Sequence, residues 1–101
     1  MHPLVRDKST ELAALCRRFG VRRLDVFGSA ARGSDFDAAS DVDLLVEFDS
    51  VDLARFLDLR DALEALLARP VDLIDRRAID QSRNYIRRRR ILEGARAVYA
   101  A

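Results

Sequence analysis

The sequence predicts an α/β fold, a small mixed sheet with helices packed on one face. Two observations carry the prediction. Short apolar runs at 22–28, 41–48 and 70–75 are bounded by Gly, Ser, Asp or Pro, as strands are. Longer segments at 4–19, 52–68 and 80–93 repeat apolar residues at helical spacing. At 101 residues the chain is expected to form one domain over 1–101, with one modest core.

In 4–19, Val5, Lys8, Leu12, Leu15, Cys16 and Phe19 form a stripe at helical spacing, and Gly20 follows as a stop. Cys16 lies on that stripe and reads as core packing. The first strand runs through Leu24, Val26 and Phe27 and stops at Gly28-Ser29. A short helix is expected just after Ser29, through Arg32. The stretch from Gly33 to Ala39 is a loop whose acids, Asp35 and Asp37, read as solvated. Asp52 can cap the helix over 52–68, which puts Leu53, Phe56, Leu59, Leu63, Leu66 and Leu67 on its core side and ends before Pro70. Val71-Asp72-Leu73-Ile74-Asp75 is the third strand. The last helix combines Ile79, Tyr85, Ile86 and Leu92 with Arg83 and Arg87 to Arg90, and Gly94 stops it. Ala97 to Tyr99 can add a short edge strand.

Half of the residues are apolar and 35% charged, and no apolar run approaches the ~20 residues of a membrane span. The start of the sequence lacks an apolar signal segment, and a single cysteine forms no internal disulfide, so a cytoplasmic protein is expected. Net charge is +1 but uneven. Residues 35–75 hold twelve acids and three arginines, while 76–101 hold eight arginines and two acids. The arginine run could suggest nucleic acid, but none of the seven aromatics interleaves with it as a stacking platform requires. A solvated or partner-binding helix is the preferred reading, and nucleic acid is not expected as a partner.

The chemistry concentrates between Val26 and Glu47. Asp41 and Asp43 stand two residues apart in a strand, so both carboxylates point to one face. Such neighbours repel unless a cation lies between them. A hard divalent ion suits carboxylate oxygens, and Mg²⁺ is the expected one. Gly28 permits close backbone approach and Ser29 offers a hydroxyl, which together suit a phosphate. Arg32 stands close to that turn, where it can reach a phosphate or pair with Asp35 or Asp37. No P-loop pattern and no Ser-His-Asp set is present, since the single histidine is His2.

Gly28-Ser29-Ala30-Ala31-Arg32-Gly33, followed by Ser40-Asp41-Val42-Asp43 in an apolar strand, resembles the nucleotidyltransferase superfamily that shares its fold with DNA polymerase beta. The full string resembles the smallest branch, the minimal nucleotidyltransferases (MNT), which often serve as antitoxins paired with HEPN-family toxins. The resemblance implies catalytic and metal-binding carboxylates at Asp41, Asp43 and Asp72, with Asp75 as a rival to Asp72. It implies two Mg²⁺ ions, bridged by Asp41 and Asp43, and ATP as substrate. Asp72 would hold the ion nearer the attacking hydroxyl. Gly28, Ser29, Arg32 and Ser40 would bind the nucleotide. The implied activity is transfer of AMP to a tyrosine of a HEPN toxin. Two alternatives belong beside it: an antitoxin acting by contact alone with a vestigial site, and a small-molecule nucleotidyltransferase, for which the chain has no acceptor-pocket domain. One sheet face must then stay open for metal and nucleotide, which is why the helices are expected on the other.

Overall fold

The computed structural model describes residues 1–33, 36–37, 39–50 and 52–101. The expected options for Asp35, as a loop acid or as a partner of Arg32, lie outside the described residues. The elements in order are α1 (Pro3–Arg6), α2 (Ser9–Phe19), β1 (Val21–Phe27), α3 (Gly28–Arg32), β2 (Val42–Phe48), α4 (Leu53–Leu67), β3 (Val71–Asp75), α5 (Arg76–Asp80), α6 (Tyr85–Gly94) and β4 (Arg96–Ala100).

The sheet order is β3-β2-β1-β4. β1 is antiparallel to β2 and to β4, whereas β2 and β3 are parallel, so the sheet is mixed. β4 is longer than the short edge strand expected at Ala97 to Tyr99, and it pairs directly with β1.

Alternation along the strands separates two faces. One presents Leu24, Val26, Val42, Leu44, Val46 and Leu73, packed against Val5 of α1, Leu12 and Cys16 of α2, and Leu59 and Leu63 of α4. Most of these side chains are fully buried. Each buried leucine stabilises the fold by roughly 1.5–3 kcal/mol. Burial pushes the Cys16 thiol up to about 11, as befits a core residue.

The expected one-sided packing therefore holds for α2 and α4, but not for the last two helices. Ile79 of α5 and Ile91 of α6 pack on Phe27 and Leu45, on the opposite face. They cover part of that face and leave Asp72, at the β3 end, exposed.

Two expected helices are also divided. The segment at 4–19 turns at Lys8, whose N–H bonds to Val5 O at 3.2 Å, before α2 begins. The turn brings both Val5 and Leu12 into the core. The segment at 80–93 is interrupted between α5 and α6 because Asn84 starts a new helix, its side chain accepting from Arg87 N–H at 3.2 Å. Asp52 caps α4 as expected, accepting from Arg55 N–H at 3.1 Å. No helix among the described residues is long and apolar enough to cross a membrane.

Candidate active site

The open end of the second face gathers most of the expected site. Phe27 pairs with Asp43 across β1–β2, and Asp43 pairs in parallel register with Asp72 of β3. The two carboxylates thus project side by side from neighbouring strands. Asp41 lies one residue before β2 rather than inside the expected strand at 41–48, and it is exposed. Its charge still acts on Asp43. Burial is the main force pushing the Asp43 carboxyl up to about 6, with the charges of Asp72 and then Asp41 adding to it, while Arg32 opposes them.

The same face carries two further carboxylates that are neutralised. Asp25, fully buried, accepts from Arg23 Nε at 2.8 Å and from Arg76 Nη2. Glu47 stands 3.8 Å from Arg76 Nε and 3.9 Å from Arg22 Nε. Among the described residues no ion pair neutralises Asp41, Asp43 or Asp72. Among the described residues the fold thus gives Asp25 and Glu47 ion-pair partners, while Arg32 acts on Asp43 only through its charge. Of the two expected rivals, Asp72 stands in register beside Asp43, whereas Asp75 Oδ1 accepts from Arg77 N–H at 2.9 Å and caps α5.

Oxygen donors of this kind suit a hard divalent cation. Asp43 and Asp72 form the adjacent pair, with Asp41 close enough to act on Asp43 electrostatically. Among the described residues, no three Asp, Glu, His or Cys side chains are gathered to hold an ion. The three carboxylates are therefore brought to one end of the sheet without being preassembled into a ligand triad. Like charges held without a cation favour such a spread.

Gly28 is the residue that fits against Asp43. Its φ is +66°, in the left-handed region, and an added Cβ would overlap Asp43 Oδ2 and lie 3.3 Å from Asp43 Cγ. Ser29 and Arg32 follow on α3, so the Gly-Ser turn and the carboxylates meet as the sequence implied. Ser40 differs. Its Oγ donates to Asp37 Oδ1 at 3.2 Å and accepts from Asp37 N–H at 3.1 Å, so the hydroxyl is committed to its own turn.

Two residues escaped the sequence reading. Asp25 gives no signal beyond being an acid within an apolar run. Arg69 Nη1 donates to Asp37 O at 2.6 Å and Ser40 O at 3.0 Å, and its guanidinium lies over the Phe36 ring at 4.6 Å. It ties the segment before β2 in place and so positions Asp41. The only sequence hint is an arginine just before Pro70.

The nucleotidyltransferase domain family profile matches residues 10–98. A solved structure described as a candidate minimal nucleotidyltransferase is 35% identical, with a TM-score of 0.75 over 95% of each chain. The chain belongs to the nucleotidyltransferase domain family, in its minimal branch. It is also similar to the protein adenylyltransferase MntA of Thermococcus cleftensis, 49% identical over 61 residues, which span 59% of this chain and 61% of that relative. A chain from a toxin–antitoxin complex with AMP-PNP shares the fold at a TM-score of 0.71 and 21% identity, covering 92% of this chain and 73% of that one. So does a chain from the Shewanella oneidensis complex of tri-AMPylated HEPN toxin with MNT antitoxin, at a TM-score of 0.67 and 18% identity, over 96% and 73%.

Proposed function

We propose that the chain is a Mg²⁺-dependent protein adenylyltransferase, an antitoxin that moves AMP from ATP to a tyrosine of a HEPN toxin. The observation that carries this reading is the Asp43–Asp72 pair beside Gly28, which has no ion-pair partner among the described residues, on a face where Asp25 and Glu47 are paired. The similarity to MntA supports protein adenylylation, and the shared fold with the HEPN–MNT complex supports the partner.

Asp41, Asp43 and Asp72 would hold the divalent ions, which supply charge neutralisation at the transferring phosphoryl group. Gly28 brings the backbone of α3 against Asp43, and Ser29 and Arg32, on the same short helix, would offer donors to a phosphate. Asp72, exposed at the rim, would take the proton of an incoming hydroxyl. Asp41 and Asp72 are both exposed at this rim, and a protein acceptor would supply both hydroxyl and cover.

Incubation of the chain with ATP, Mg²⁺ and its HEPN partner, followed by intact mass measurement of the partner, tests this. AMP adducts that disappear with Asp43→Asn are expected. An unmodified but inhibited toxin would instead show inhibition by contact alone.

A further inference from the structure

Asp41 stands outside β2 and is exposed, yet the backbone is held on both sides of it. Before it, Ser40 O accepts from Arg69 Nη1 at 3.0 Å. After it, Val42 N–H donates to Pro70 O at 3.0 Å. Arg69 is in turn placed by Phe36, a buried ring of the segment between α3 and β2, over which its guanidinium lies at 4.6 Å. The same ring meets the His2 ring, with centroids 4.5 Å apart and planes at 51°. His2 reaches α3, because its N–H donates to Ala30 O at 2.7 Å and Gly33 lies against its backbone. His2 Nδ1 also accepts from Leu4 N–H at 3.1 Å and caps α1. A line of contacts thus runs from the helix of Ser29 and Arg32, through His2, Phe36 and Arg69, to the peptide that enters Asp41.

We infer that Phe36 and His2 are positioning residues for the divalent-ion site, holding Asp41 at a fixed spacing from α3 through Arg69. The inference rests on the adenylyltransferase reading and adds to it the means by which an exposed carboxylate is kept near Asp43 and Asp72. Among the described residues the three carboxylates are not gathered around an ion, so binding one draws Asp41 inward against their repulsion. Apparent affinity for the ion then scales with the fraction of molecules in which Asp41 is within reach. Loosening its segment lowers that fraction. Phe36 supports Arg69 in two ways: its burial pins the segment to the core, and the negative face of its ring attracts the guanidinium. His2 packs on that ring and ties it to α3, so that the segment of Asp41 and the helix of Ser29 and Arg32 keep one spacing. Both residues act on the ion through Arg69 and the backbone of Ser40.

The test is Mn²⁺ titration of the full chain, read by electron paramagnetic resonance, with the Mg²⁺ dependence of AMP transfer measured beside it. Phe36→Leu keeps an apolar side chain in the core and removes the ring. It is expected to weaken Mn²⁺ binding about tenfold, to raise the half-saturating Mg²⁺ for transfer equally, and to recover kcat at saturating Mg²⁺. Two His2 variants separate the ring contact from the helix cap. His2→Asn keeps an acceptor for Leu4 N–H but loses the ring, and should weaken Mn²⁺ binding about threefold. His2→Phe keeps a ring but loses the cap, and should bind Mn²⁺ like the parent. Leu63→Val loosens the core beneath α4 away from these contacts, and should lower the melting temperature without changing Mn²⁺ affinity. Unchanged affinity in a folded Phe36→Leu, no difference between the two His2 variants, or an equal loss in Leu63→Val overturns the inference and leaves the adenylyltransferase reading standing. If Phe36→Leu does not fold, the contrast between the His2 variants decides alone. A parent that neither binds Mn²⁺ nor transfers AMP overturns both.

Discussion

Gly28 and Asp43 are packed so closely that no side chain fits between them: a Cβ on Gly28 would overlap Asp43 Oδ2. The glycine is fixed doubly, by this contact and by a φ of +66°. Gly28→Ala should therefore cost about 1–2 kcal/mol, seen as a melting temperature lower by roughly 5–10 °C. It should also displace Asp43 and reduce AMP transfer at least tenfold. A variant that melts and transfers like the parent would mean that the turn relaxes freely.

Asp43 should trade stability for function. Its folded carboxyl titrates near 6, above the usual value of 3.8, chiefly through burial. The folded state thus binds this proton more tightly than the unfolded state, so stability falls as pH rises from about 4 to about 6 and stays lower above that window. After discounting for solvent screening, the penalty at pH 8 is about 1 kcal/mol. Asp43→Asn without divalent ions should melt a few degrees higher than the parent at pH 8, with a smaller difference at pH 4, while losing transfer. Melting curves at the two pH values check the sign.

The pairing of Asp25 with Arg76 is structural. Arg76→Met leaves a fully buried carboxylate whose one remaining ion-pair partner among the described residues is the half-exposed Arg23, and should destabilise by about 3 kcal/mol. Adding Asp25→Leu to Arg76→Met should recover most of that loss in denaturant titration. No recovery would show that Arg76 acts through Glu47 instead.

Arg69→Ala should separate position from stability. It removes two bonds to backbone carbonyls and the contact with Phe36, at a cost of about 1 kcal/mol. Transfer should fall roughly tenfold because Asp41 loses its anchor. Equal transfer by variant and parent would remove Arg69 from any positioning role.

The strands, α4 and the Gly28–Asp43 neighbourhood were legible because each has a local cause: apolar runs, the Asp52 cap and the Gly-Ser turn. The breaks within 4–19 and 80–93 were not, since apolar spacing continues through Lys8 and Asn84 and the interruptions answer to tertiary packing and a cap. Placement of α5 and α6 on the second face was hidden because Ile79 and Ile91 read equally well toward either face. Asp41, Asp43 and Asp72 were expected from pattern and resemblance, and the fold brings them to one end of the sheet. The commitment of Ser40 to Asp37 depends on loop geometry, and the neutralised Asp25 depends on Arg76, 51 residues away.

The central claim, that Asp43 and Asp72 form the divalent-ion site for the nucleotide, is tested most directly by Mn²⁺ titration followed by electron paramagnetic resonance. The parent should bind Mn²⁺, ATP should tighten that binding, and Asp43→Asn/Asp72→Asn should lose it while remaining folded. Mn²⁺ binding by the double variant equal to that of the parent, with and without ATP, would contradict the account.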